Sequence, residues 1–229
     1  MSIKNGKDYM YLIWKAEKSR KQYIVGVLSK NGEYEFKYNE EVHDAIREGF
    51  TPLIPFADIE KEYSSTELFP IFSSRLPDRK RKDMDKILAK YGLDEYDPYQ
   101  LLKKSGARLP IDSMQFIDPI LELDNVFERK FYMAGTRHYL GCEGNDCNKS
   151  ITVQCGDAVY LKKEPENIHD SNAIKVVNYK EELLGYVPRY YSRAFTRLID
   201  QGRNISCHVV SVNKNMCCSE CILLDINVE

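Results

Sequence analysis

Three groups of residues in this chain have the types and spacing to do chemistry. The richest lies between Lys163 and Arg189. There Lys163-Glu164-Pro165-Glu166-Asn167-Ile168-His169-Asp170-Ser171-Asn172 precedes Ala173-Ile174-Lys175-Val176, and Leu184-Gly185-Tyr186-Val187-Pro188-Arg189 follows. Pro, Asn, Asp and Ser cluster over 165–172, the composition of a loop held by side-chain-to-backbone hydrogen bonds. Residues 173–177 read as a buried, β-branched strand. Tyr186 and Arg189 fall where a second strand ends. Two strand ends and a loop rich in Asn, His, Asp, Tyr and Arg can form a concave polar site. On pattern alone, a β-hairpin with a well-capped loop accounts for the same residues. In that reading Asp170 is an Asx-type cap and Tyr186 a half-buried strand residue.

The second group, Glu164, Asp170 and Lys175, loosely matches the acid-plus-lysine spacing of metal-dependent nucleases, although no partner acid is evident. The third is the cysteines. Cys142-x4-Cys147 and Cys218-x2-Cys221 are pairs that a structural, tetrahedral zinc could use, each in a predicted turn. Free thiols in a reducing cytoplasm are the alternative reading. Seven cysteines, an odd number clustered late, do not form the framework of a secreted, disulfide-stapled domain.

The elements that must position these residues make two domains of an α+β protein, at about 1–120 and 126–229. With 229 residues, 43% hydrophobic and 30% charged, the chain is long enough for two small cores. A net charge of −2 excludes a general polycationic nucleic-acid coat, so any nucleic-acid site must be a local pocket or stripe. There is no apolar run of about 18 residues, hence no expected membrane span. Residues 1–7 lack a signal-peptide core, so the expected location is cytoplasmic. In the first half, residues 11–15 and 23–28 read as strands, and Asn31-Gly32 signals a tight hairpin turn. Residues 33–38 alternate charge with aromatic, which predicts a half-buried strand whose rings face the core rather than a ligand. A helix is expected to open at Ser65-Thr66-Glu67, with Pro70 near its first turn. A second carries Met84, Ile87, Leu88 and Tyr91 ahead of Gly92, and a third runs from Asp97-Pro98 to Gly106. Strands are expected at 131–135, 151–153, 158–161, 173–177, 183–187, 207–212 and 222–228. One clear helix, 192–201, has Ser192 as its cap. Many short strands with one or two helices suggest a closed or partly open barrel.

"KEPENIHDSNAIKV…LGYVPR", preceded by "AGTRHY" at 134–139 and "GDAVYL" at 156–161, closely resembles the HIRAN domain, a small β-barrel module. The resemblance covers roughly the last hundred residues. It implies a pocket that grips the 3′ end of single-stranded DNA and calls for no metal or other cofactor. Carried over on matching positions, Arg137 and Tyr139 correspond to the family's "RYY" step, with His138 in place of an aromatic. Asn167, His169 and Asp170 correspond to its "NNPYD"-like loop, His169 again replacing an aromatic. Tyr186 and Arg189 fall where the family has a ring and a basic residue. Rings would stack on unstacked bases, Asp170 would accept a hydrogen bond from the 3′-hydroxyl, and Arg would neutralise adjoining phosphates.

The first half also resembles a known module. "NGEYEFKYNEE", "TPLIPF", "ELFPIFSSRLPD", "LAKYGL" and "DPYQLLKKSGARLPIDSMQFI" are similar to the N-terminal subdomain that precedes the kinase of HipA-type toxins, over about 9–120. Nothing resembling the kinase follows, so phosphoryl transfer is not expected. The two resemblances together imply a bacterial, non-catalytic adaptor in a toxin-antitoxin or defence setting. One domain would hold DNA and the other a protein partner such as a HipA-type kinase. A metal-dependent nuclease acting on DNA ends, and a protein-interaction module that binds no DNA, are the competing classes.

Overall fold

Alternating apolar residues set the first sheet. In the computed structural model, which describes residues 3–4, 7–120, 125–140, 151–214 and 218–229, β1 (Ile3–Lys4), β2 (Lys7–Lys15), β3 (Gln22–Asn31), β4 (Glu33–Tyr38) and β5 (Tyr63–Ser65) lie side by side, all antiparallel. β6 (Met114–Ile117) returns to pair with β2. The Asn31-Gly32 step joins β3 to β4, as its turn chemistry predicts. Tyr34, Phe36 and Tyr38 of β4 all point into the core. There Phe36 packs on Phe56 at 4.5 Å and on Phe72 at 5.2 Å, and Phe72 packs on Phe116 at 5.1 Å between ring centroids. The rings of this strand are therefore core and not a ligand stripe.

Short helices cover this sheet: α1 (Val42–Arg47), α2 (Pro70–Ser73), α3 (Met84–Lys90) and α4 (Pro98–Ser105). α4 has the expected ends, with the Asp97 carboxylate accepting from the N–H groups of Tyr99 and Gln100 and Gly106 left-handed after it. α2 differs from expectation. Residues 63–65 are claimed by pairing with β4, Ser65 Oγ accepts from the Glu67 N–H in a turn, and the helix starts at Pro70, where a missing N–H costs nothing. Two buried cations lock the domain. Arg75 grips Asp112 in a fork of 2.5 and 3.0 Å and also donates to the Ala107 and Met114 carbonyls. Lys103 pairs with Asp8 and Asp118.

The chain divides into two compact units, Met1–Leu121 and Glu122–Glu229. The second holds two three-stranded antiparallel sheets. One is β11 (Ile205–Val212), β12 (Ile222–Val228) and β7 (Phe127–Tyr132). The other is β10 (Leu183–Tyr186), β9 (Ile174–Val177) and β8 (Tyr160–Lys163). Two single bridges join them, Ala134 to Tyr186 on one side and Ala158 to His208 on the other. Among the described residues the ring is thus two sheets seamed at their edges, rather than a barrel with unbroken ladders. Residues 151–153 form no strand, and Ala158 contributes only its bridge. The long helix α6 (Arg189–Asp200) begins three residues before the predicted Ser192 cap. Pro188 is extended and its carbonyl takes the Tyr191 N–H, so the turn closes earlier, and Ser192 is buried inside the helix. Tyr191, Phe195 and Leu198 form its core face, packed on Phe131. Among the described residues no helix is long and apolar enough to cross a membrane.

Candidate functional site

The site is built at the seam between the two sheets. After β7, Met133 bonds to Ile222, and Ala134 exchanges two hydrogen bonds with Tyr186 at 2.8 and 2.9 Å. The chain then turns through Gly135, at φ +76, into the single-turn helix α5 (Thr136–Tyr139). A side chain at 135 would need a left-handed backbone, and its Cβ would come within 3.1 Å of the Tyr139 ring. At Gly185 a Cβ would lie 2.5 Å from the Ala134 carbonyl oxygen, so glycine there permits the close approach of the seam. The buried Thr136 donates its hydroxyl to the Cys218 carbonyl, fixing α5 from beneath. Arg137, His138 and Tyr139 are left exposed on this short helix, not on a strand.

The Tyr139 ring sits 5.2 Å from that of Tyr186, tilted by 54°. His138 stands edge-on to Tyr139 at 6.4 Å. From Tyr186 the contacts continue into the loop through Glu164. The Tyr186 hydroxyl and the Asn167 amide both donate to Glu164 Oε2 at 2.7 Å, and Lys175 Nζ meets Oε1 at 2.5 Å. Sheet register makes this meeting possible, because Lys175 of β9 is paired directly with Tyr186 on one side and Lys162 on the other. The Asn167 amide, then Lys175 and Tyr186, hold the Glu164 carboxyl well below its ordinary 4.5, at about 2. Burial, and then the neighbouring Glu164 and Tyr139, push the Tyr186 phenol in the opposite direction, above its ordinary value.

Asn167 also organises the loop. Its Oδ1 accepts from the N–H groups of His169 and Asp170 at 2.9 and 3.2 Å. Asp170 Oδ1 accepts from Asn172 at 2.9 Å, and Oδ2 is unpartnered among the described residues. His169 is exposed beside it, with Ile168 almost fully exposed at the tip. The structure therefore links His138, Tyr139, Tyr186, Asn167, His169 and Asp170 through neighbouring contacts. Arg137 lies on the same short helix outside that chain of contacts, and Arg189 opens α6 three residues after Tyr186. The hub itself, Glu164 with Lys175, was visible in the sequence only as two thirds of a nuclease-like triplet. Of that triplet, Glu164 is bound to the lysine ammonium and Asp170 Oδ1 to a backbone N–H.

Of the cysteine pairs, Cys142 and Cys147 lie outside the described residues. Cys221 is buried and Cys218 half-buried. Among the described residues no group of three or more His, Cys, Asp or Glu side chains is placed to hold a metal ion.

These features define a two-domain protein with a seamed β-module at its C-terminal end. The HIRAN domain model matches residues 126–226, and the HipA N-terminal domain model matches residues 19–110. The chain thus carries a HipA N-terminal domain followed by a HIRAN domain. Among curated proteins, a 48-residue stretch is 42% identical to the Fanconi-associated nuclease 1 homolog of Arabidopsis thaliana, covering 21% of this chain and 5% of that protein's length. Two solved structures are similar. The HIRAN domain of human HLTF is 22% identical over 44% of this chain and 74% of its own, and a protein from Lactobacillus plantarum is 23% identical over 45% and 97%. Both superpose with a TM-score of 0.35.

Proposed function

We propose that the protein binds single-stranded DNA at a 3′ end through its HIRAN domain, without cutting it, and reports the captured end through its HipA N-terminal domain. The observation that carries this reading is the ring pair at the seam. Tyr139 is 45% exposed and backed by Tyr186, whose hydroxyl reaches the polar 163–172 loop through Glu164. A flat exposed ring in such a setting suits an unstacked base, and each stacked base is worth about 1–3 kcal/mol. Asp170 Oδ2 supplies an acceptor for a terminal hydroxyl, which a 3′-phosphate does not offer. Arg137 and Arg189 supply charge for phosphates. The ion pair of Glu164 with Lys175 favours a binder over a metal-dependent nuclease, since its carboxylate charge is already met by an ammonium. In the first domain Ile54 and Ile111 are 92% and 88% exposed, which offers apolar contact to a protein partner. A HipA-type kinase is the partner the family implies, and a toxin-antitoxin or defence system in the cytoplasm the setting.

The test is fluorescence anisotropy of the full chain with a labelled single strand ending in a 3′-hydroxyl or a 3′-phosphate, over a salt series. Preference for the hydroxyl, lost in Asp170→Ala, is expected. Tyr139→Ala should weaken binding by roughly 5- to 100-fold. A steep salt slope with no end preference would leave only backbone binding, and no binding at any salt would retire the DNA reading. A strand shortened in Mg2+ or Mn2+, with cleavage abolished by Asp170→Ala, would favour the nuclease. Failure to form a complex with a HipA-type kinase would remove that partner.

A further inference from the structure

We infer that Arg193 and Arg197 of α6 form a phosphate track that continues the pocket and holds the backbone of the strand on the 5′ side of the captured end; this rests on the reading of the pocket as a site for single-stranded DNA. Arg189, Arg193 and Arg197 recur every four residues, so they lie in one row along the helix. The row is opposite the core face of Tyr191, Phe195 and Leu198. Arg193 and Arg197 are exposed, and among the described residues neither has an acidic partner. The single acid of the helix, Asp200, is taken by Lys163. Like charges four residues apart on a helix repel, by about 0.2–0.5 kcal/mol per pair. Arg193 and Arg197 are therefore a local cost, in a chain whose net charge is −2.

Two contacts fix where this row lies. The Thr196 hydroxyl, 3.0 Å from the Ser192 carbonyl of its own helix, also lies 3.2 Å from the Asn172 carbonyl, and Asp200 pairs with Lys163. Thr196 and Asp200 share the helix face that carries Arg189 and Arg193. That face therefore borders the 163–172 loop that carries Asn167, His169 and Asp170. Four residues of helix advance about 6 Å, so the row presents a positive charge at intervals on the scale of successive phosphates along an extended strand. Its head, Arg189, lies three residues after the strand end that carries Tyr186. A strand whose last base rests at Tyr139 and Tyr186 can leave along α6 and meet charge at each step. A duplex would not be needed, and no base would be read, because only the backbone is touched.

The test is binding of the full chain and of the Arg193→Gln/Arg197→Gln variant to 3′-hydroxyl strands of three and twelve nucleotides, over 0.05–0.5 M salt. Both positions are exposed and the substitution removes repulsion, so the thermal midpoint should not fall. For the twelve-mer, the slope of log affinity against log salt should become shallower by about 1.4, at 0.7 for each arginine. At 0.1 M salt that is a loss of up to about 25-fold. The three-mer should be nearly unaffected, and the ratio of 3′-hydroxyl to 3′-phosphate affinity should be unchanged. An unchanged slope with the twelve-mer, or an equal loss with both lengths, would overturn the track. Displacement of the twelve-mer by polyglutamate as readily as by an unlabelled strand would also overturn it, by assigning the row to an acidic protein. Absence of end preference with a shallower slope in the variant would instead sink the pocket and leave the track standing.

Discussion

Replacing Glu164 by Gln tests the hub of the site. Its carboxylate accepts from Asn167 and Tyr186 on Oε2 and pairs with Lys175 on Oε1. A glutamine oxygen in the Oε2 position keeps the first two bonds, while its NH2 group replaces the ion pair with two donors facing each other. A carboxyl drawn from 4.5 to about 2 corresponds to about 3 kcal/mol at the limit. The side chain is 22% exposed and solvent screens the pair, so the expected loss is about 1–2 kcal/mol at pH 7. The sign follows from proton binding. The folded carboxyl is the stronger acid, so the unfolded chain binds more protons in this range, and the stabilisation present above about pH 4.5 fades as pH falls toward 2. Urea unfolding of the native chain and of Glu164→Gln, at steps from pH 7 to pH 3, should therefore give two curves that converge on the acid side. Hydrogen exchange of peptides spanning 160–187 assigns the loss to the second domain. Equal stability of the two proteins at pH 7, or curves that run parallel down to pH 3, would refute the ionised hub.

Two further outcomes follow from other parts of the molecule. Gly135→Ala places a Cβ in a left-handed backbone and 3.1 Å from the Tyr139 ring, so it should cost about 1–2 kcal/mol and displace that ring. DNA binding should fall with it while the 3′-hydroxyl preference set by Asp170 persists; full-strength binding would show that the ring's position is immaterial. Arg75→Ala leaves Asp112 and two carbonyls without their donor and should destabilise the first domain by about 3–5 kcal/mol. Burial by itself would raise the Asp112 carboxyl, but the bonds from Arg75 prevail and hold it below the ordinary value. The loss should therefore be visible in Trp14 fluorescence at pH 7 and shrink in acid. A small, pH-independent loss would place the stability elsewhere.

Local signals were legible in the sequence where local chemistry decides the structure. The Asn31-Gly32 turn, the Asp97 cap with Gly106 after the helix, and the β-branched residues of β9 are of this kind. The loop at 165–172 is similarly self-determined, because Asn167 and Asp170 bond backbone within two or three residues. What could not be read depends on partners distant in sequence. Residues 136–139 carry no helix signal of their own; the turn is imposed by Gly135, the Thr136 bond to Cys218 and the bridge from Ala134 to Tyr186. Ser192 looked like a cap because Ser usually is one, but Pro188 closes the turn first. Glu164 and Lys175 lie eleven positions apart in the chain, and only the register of β9 against β10 reveals that their common neighbour is Tyr186.

The seam has a mechanical consequence. Each sheet of the second domain is held by a ladder of several strand pairs, whereas the two hydrogen bonds between Ala134 and Tyr186 carry that side of the ring. Opening starts where the fewest bonds must break. Tyr139 is mounted on one side of this joint and Tyr186 on the other, so parting it by a small angle widens the gap between the rings while both ladders stay intact. For a strand end held between those rings, as proposed, the module would be a clasp whose hinge and jaws share one residue: the backbone of Tyr186 the pin, and its ring half of the grip.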